Sequence, residues 1–261
     1  MAVVCDGVST TDRPYEASQA ATRVLLDAVR TGEDLVAASV AAVRSARGAV
    51  AVLTSPPEDV SSTAGPSATY ISAVMTCTAV TLCWLGDTRG YWLGDSAPGS
   101  GLAPKQLTRD DSLAEELVAA GLLARSDAGT SPHVHVVTRW VGADTDALEP
   151  HVTTFEPPGR GALMLCSDGL WNYQPDATKL ADLALPTALT DPLEAAGTLV
   201  SFALNAGGMD NVTVVLAPFP PTHRVRSSPD PAAAPADSTP APASRRGSMQ
   251  WGLPPSTGDE F

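Results

Sequence analysis

The chain has 261 residues, 44% of them hydrophobic and 17% charged, enough to bury one substantial core without requiring two domains. Its 29 acidic residues against 16 basic ones give a formal net charge of -13, which argues against partnership with nucleic acid or an anionic membrane. Cys5, Cys77, Cys83 and Cys166 lie in apolar, strand-like stretches without CxxC spacing; they read as reduced core residues, and together with an opening MAVVCDG that lacks a signal-peptide pattern they point to the cytoplasm.

In chain order, the apolar VVC before Asp6 predicts a strand over residues 2–5. Helical spacing of Ala17, Ala20, Ala21, Val24, Leu25 and Ala28 predicts a helix over 14–30, with Asp12 as its cap. An antiparallel partner helix follows over 35–47 and should stop at Gly48. The Pro/Ser-rich stretch 54–66 reads as a long surface loop. Residues 60–86 carry no charge, yet their Gly-Pro break and wealth of Thr, Val and Ile fit two buried strands, 69–75 and 79–85, joined near Thr76-Cys77, better than a membrane span.

Further strands are expected at 90–93, 133–138, 152–155, 162–166 and 212–217. Ser112 and Glu115 form a capping-box pattern for a helix running to Gly121. Asp191, Pro192 and Glu194 start another helix, whose stripe is Leu193, Ala196, Val200, Ala203 and Leu204 and whose end is Gly207-Gly208. Short turns between the middle strands and helices in pairs favour an α+β fold with mostly antiparallel sheets. Residues 1–218 form the domain. From 219 to 261 the chain becomes Pro-, Ala- and Ser-rich and is expected to be disordered.

Four aspartates sit at strand ends: Asp6-Gly7 after VVC, Asp87 after CWLG, Asp168-Gly169 after LMLCS, and Asp210-Asn211 before VTVVL. Singly, each is an ordinary turn. Converging on one edge of a core with no nearby lysine, they would repel one another unless a hard cation such as Mg²⁺ or Mn²⁺ lay between them.

The ordered set VVCDG, SAT, GDTRGYWL, LTRDDS, TRWVG, LCSDGLW and DNVTVV resembles the metal-dependent PPM-type (phosphatase 2C-like) serine/threonine protein phosphatases. That resemblance implies two packed antiparallel β-sheets flanked by pairs of helices. It also implies hydrolysis of phosphoserine and phosphothreonine in proteins by a metal-activated water at two Mg²⁺ or Mn²⁺ ions. By position, Asp6 corresponds to the carboxylate bridging both ions, the Gly7 carbonyl to a ligand of the second, and Asp168 and Asp210 to the remaining ligands of the first; these three aspartates would act catalytically through the bound water. Asp110 corresponds to a ligand that, with Asp168, holds a third, weaker ion in some members. Asp87 and Arg89 read as structural, the Arg pairing internally. Implied partners are phosphorylated proteins and a serine/threonine kinase; composition hints at a bacterial source.

The family pattern also places two strands ahead of the residue matching Asp6, carrying a phosphate-gripping Arg and a Glu-Asp pair; this sequence opens inside the strand leading to Asp6 and offers no counterpart. After Gly7 come Val8-Ser9-Thr10, so the leaving-group acid has no assignment, and Asp111 stands where a His is usual. These departures keep open a second reading, a pseudophosphatase or phosphoprotein-binding module without turnover. His133 and His135 alternate as on a strand, but no further His or Cys completes a zinc site. Trp84, Trp92, Trp140 and Trp171 read as packing residues.

Overall fold

The computed structural model describes residues 1–8, 13–28, 34–53, 65–94, 103–142 and 149–220. They belong to a unit spanning Met1–Thr222. Residues 223–261 lie outside the described residues, as do Asp12 and most of the 54–66 loop.

The first sheet takes its order from β1 (Ala2–Gly7), β2 (Ser67–Met75), β3 (Val80–Leu85) and β7 (His151–Phe155), with the short β6 (Val141–Gly142) paired to the start of β2. The second runs β5 (Lys105–Gln106), β4 (Arg89–Gly94), β8 (Gly161–Cys166), β9 (Val214–Phe219). Every pairing is antiparallel. The β2–β3 connection is the expected turn at Thr76–Ala79, closed by Thr76 N–H to the Ala79 carbonyl at 2.8 Å.

Both faces of each sheet are covered, which is why the central strands read as continuous apolar runs rather than alternating ones. On β8, Leu163 and Leu165 face the other sheet while Ala162, Met164 and Cys166 face helices. Between the sheets, Val4, Ile71, Leu82, Leu163 and Leu165 pack around Trp92, whose ring meets Phe155 at 5.5 Å and Phe219 at 6.0 Å. Fully enclosed, Trp92 is the side chain whose truncation to Ala would cost most here, about 3–5 kcal/mol.

On the outer face of the first sheet lie α1 (Pro14–Ala28) and α2 (Leu35–Ala51); their buried contacts are Ala17, Ala21, Ala42, Val43, Ala46 and Val50, residues small enough to let the helices approach closely. Asp34 caps α2 by accepting from Val36 and Ala37 N–H. The expected stop at Gly48 does not occur. Gly48 is exposed and the helix runs on to Ala51, because Val50 one turn further is fully buried.

The second sheet is covered by α5 (Ala177–Ala188) and α6 (Pro192–Ala206). The helix α6 starts as its sequence predicts, with Asp191 accepting from Glu194 N–H at 3.0 Å and Pro192 in the first turn, but its buried face is Ala195, Leu199 and Ala203. Leu193 and Leu204 are exposed instead, since the helix is apolar nearly all round and spacing alone does not select a face. The one-turn α4 (Asp168–Trp171) follows β8 directly.

The short α3 (Leu113–Ala119) is capped by Ser112, which accepts from Glu115 N–H, and ends at Gly121 with φ +71°. The expected strand over 133–138 is absent. That segment is a series of turns bound to the start of α3, with Leu113 N–H on the Val136 carbonyl, Ala114 N–H on that of His133 and Thr138 N–H on that of Asp111. Cys77, expected in the core, is exposed at the β2–β3 turn, whereas Cys83 and Cys166 are buried. Among the described residues no helix is long and apolar enough to cross a membrane.

Candidate metal centre

Strand ends from both sheets meet at one end of the sandwich. Asp6 lies near the end of β1, one residue before Gly7, which packs so closely on α1 that a Cβ there would stand 2.5 Å from the Pro14 carbonyl. Asp168 follows β8. Its neighbours fix the segment bearing Asp210: Ser167 N–H donates to the Thr213 carbonyl at 3.1 Å, the Ser167 hydroxyl donates to the Asn211 carbonyl at 3.1 Å, and Thr213 N–H donates back to that hydroxyl at 3.1 Å. A Cβ on Gly169 would fall 2.2 Å from the Asn211 oxygen, so only glycine admits this contact. The Ser-Asp-Gly sequence thus locks two ligand-bearing segments together.

The carboxylates interact strongly. Burial first, then the Asp168 charge, pushes the Asp6 carboxyl up to about 8, with Asp210 and Asp87 adding to the effect. Burial also raises Asp168, Asp210 adds to that rise, and a hydrogen bond from Asp6 opposes it. Asp168 Oδ2 accepts from Asn172 Nδ2 at 3.4 Å, whereas its Oδ1 is buried and receives no hydrogen bond from any N–H or hydroxyl. Asp87, 5% exposed, is pushed up to about 7 by burial and by Asp168 and Asp110.

This donor set fits a hard divalent cation: oxygen only, partly buried, self-repelling and with an orphaned carboxylate oxygen. Among the described residues no three acidic, His or Cys side chains are already closed into a ligand group. Asp6, Asp168 and Asp210 are therefore brought within electrostatic reach of one another.

Asp110 is placed differently. Both its oxygens accept from the Arg89 guanidinium, Nε to Oδ1 at 3.0 Å and Nη2 to Oδ2 at 2.7 Å, and Gln106 adds a contact at 3.4 Å. It makes no hydrogen bond to Asp168. Arg89 pairs internally, as the sequence suggests, and also lies 3.7 Å from the Trp171 ring centroid. Trp171 in turn donates Nε1–H to the Asp87 carbonyl at 2.9 Å. Asp111 braces the Asp87 turn: its Oδ2 accepts from Gly86 N–H at 2.9 Å, and its Oδ1 meets His151 Nε2 at 2.8 Å.

Asn172 is a neighbour of the site that the sequence reading passed over; Trp171, read there as packing, also borders the site. The available signal was Asn172 four residues after Asp168, one helical turn on. The tryptophans otherwise pack as expected, with Trp84 stacked on His151 at 5.0 Å and donating to the Arg109 carbonyl.

A four-layer sandwich with aspartates from both sheets gathered at one end defines the fold of the PPM phosphatases. No protein-family model matches the chain. The serine/threonine protein phosphatase PstP of Mycobacterium tuberculosis is 32% identical to it over 192 residues, a match covering 74% of this chain and 34% of that protein. The chain therefore spans about a third of the length of that curated relative. The crystal structure of the M. tuberculosis phosphatase superposes with a TM-score of 0.66 at 30% identity, covering 82% of this chain and 86% of that one. A PstP catalytic domain in complex with two manganese ions gives 0.66 at 28% identity, covering 82% and 85%. The chain belongs to the PPM-type serine/threonine phosphatases.

Proposed function

We propose that the chain hydrolyses phosphoserine and phosphothreonine in proteins with two bound Mg²⁺ or Mn²⁺ ions. The observation that carries this reading is the convergence of Asp6, Asp168 and Asp210, each raising a neighbour's carboxyl, with Asp168 Oδ1 buried and unpartnered. The related PstP catalytic domain with two manganese ions supports it.

Asp6, the Gly7 carbonyl, Asp168 and Asp210 would hold the ions. When bound, such ions supply a nucleophilic oxygen from water near neutral pH and neutralise charge on the phosphoryl group. The chain's own groups prepare the place: Asn172 orients Asp168, and Ser167 and Gly169 fix the segment carrying Asp210. Trp171, 3% exposed, fills the floor beside Asp87 and keeps water from its buried side. Asp110, whose charge Arg89 already neutralises, would hold a third ion only weakly.

The substrates are phosphoproteins made by a serine/threonine kinase in the cytoplasm of a bacterium, and the net charge of -13 is in keeping with a protein that binds neither nucleic acid nor membrane. In this reading the domain closes near Pro218. Retention of Asp6, Asp168 and Asp210 favours turnover over a phosphoprotein-binding role.

The test is hydrolysis of p-nitrophenyl phosphate by the purified chain with and without Mn²⁺. Activity that requires the ion and disappears in Asp168→Asn is expected. Hydrolysis that persists in chelator overturns the reading.

A further inference from the structure

Next to Asn172 lies a recess of about 90 Å³, lined also by Arg89, Val134, His135, Trp171 and Pro175. Asn172 belongs to both sites, because its amide reaches Asp168. The His135 ring stacks on Trp171 with centroids 5.9 Å apart and planes 13° apart. Its loop is held there by the three backbone hydrogen bonds that tie 133–138 to the start of α3, next to Asp110 and Asp111.

Only one of the lining groups can hand over a proton. Arg89 does not deprotonate in proteins, and its guanidinium is engaged by Asp110 and, at 3.3 Å, by the Tyr91 hydroxyl. The Asn172 amide is neutral, and Val134, Pro175 and the indole ring offer no acid. Histidine is the side chain whose ordinary pKa suits proton transfer near neutrality.

We propose that His135 is the general acid for the leaving seryl or threonyl oxygen, with the recess receiving the substrate residue's side of the phosphoester. The proposal rests on the hydrolytic reading above. In the step, water's oxygen bonds to phosphorus, the bond from phosphorus to the alcohol oxygen breaks with its electron pair going to that oxygen, and the imidazolium proton moves onto it. The proton released by the attacking water restores the imidazolium through solvent. Loss of a positioned acid costs about 10²–10⁴-fold for a poor leaving group and little for one stable as its anion.

The experiment compares His135→Gln with wild type on two substrates, a phosphothreonine peptide and p-nitrophenyl phosphate, with Mn²⁺ present. A kcat loss of about 100-fold or more on the peptide, with at most about 2-fold on the aryl ester, is expected. His133→Gln, on the same loop but outside the recess, should leave both unchanged. Equal losses on both substrates, or none on either, overturn the assignment. A wild-type chain inactive on both refutes the hydrolase reading itself, and the proposal with it.

A second readout needs no turnover. In chain carrying labelled histidine, substoichiometric Mn²⁺ should broaden the His135 ring resonance before that of His133. Broadening of His133 first, or of neither, places His135 away from the aspartates and also overturns the proposal.

Discussion

Arg89 and Asp110 form a two-pronged ion pair inside the protein, their side chains only 9% and 5% exposed, with the guanidinium plane resting on Trp171. The Asp110 carboxyl nevertheless lies above its ordinary range, because burial outweighs the neighbouring cation. Such a pair contributes little net stability over an apolar substitute, but removing one member strands a buried charge. Asp110→Asn should therefore lower the unfolding free energy by about 3–5 kcal/mol in urea titrations. Arg89→Lys should not preserve stability, since an ammonium cannot span both oxygens or stack on the indole.

Asp6→Asn separates stability from ion binding. In the metal-free protein the substitution removes one of the crowded, mutually repelling carboxyls. At about pH 8 the variant should be more stable than wild type by roughly 1–3 kcal/mol, while calorimetry finds its Mn²⁺ affinity lost. A variant that is less stable and binds normally would contradict the proposed ligand role of Asp6.

The same crowding makes the metal-free fold sensitive to pH. Asp6 ionises at about 8 in the folded chain but near the ordinary carboxylate value of about 4 when unfolded. Folding therefore takes up a proton between these values, and the stability present below about pH 4 is lost as pH rises toward 8. Asp87 acts in the same direction up to about 7. Melting temperatures without metal should fall across this window, and the increment given by Mn²⁺ should grow, because the ion favours the deprotonated set.

Gly169→Ala probes the contact that carries Asp210. The added methyl collides with the Asn211 oxygen, so the 210–213 segment must move. A stability loss of about 1–3 kcal/mol is expected, with Mn²⁺ affinity reduced at least about 10-fold. Gly197→Ala, in α6 where a Cβ meets nothing within 4 Å, should instead stabilise by about 0.5–1 kcal/mol.

Much of the architecture was legible because its causes are local. A strand buried on both faces announces itself as an unbroken apolar run, and Asp6, Asp168 and Asp210 stood out because each interrupts or starts such a run. What stayed hidden depends on partners. Helix α5 has a capping aspartate, Asp176, but Pro186 inside it reads as a breaker and its buried contacts are mainly alanines. The 133–138 segment alternates like a strand, yet its backbone groups are claimed by the first turn of α3 and its bridge to Ser112 is isolated. In LTRDDS Asp110 matched a ligand of a third ion; only the fold brings Arg89, twenty-one residues away, onto both its oxygens.

Asp6 belongs to β1 and Asp210 leads into β9, each a strand at one margin of its sheet among the described residues. Outer strands are the first to fray, having a neighbour on one side only. An ion shared between these carboxylates would therefore work as a clasp joining the margins of two separate sheets, and backbone amide exchange along β1 and β9 would slow together as it closed. The concentration of a small cation would then set how long the sandwich stays shut at its rim.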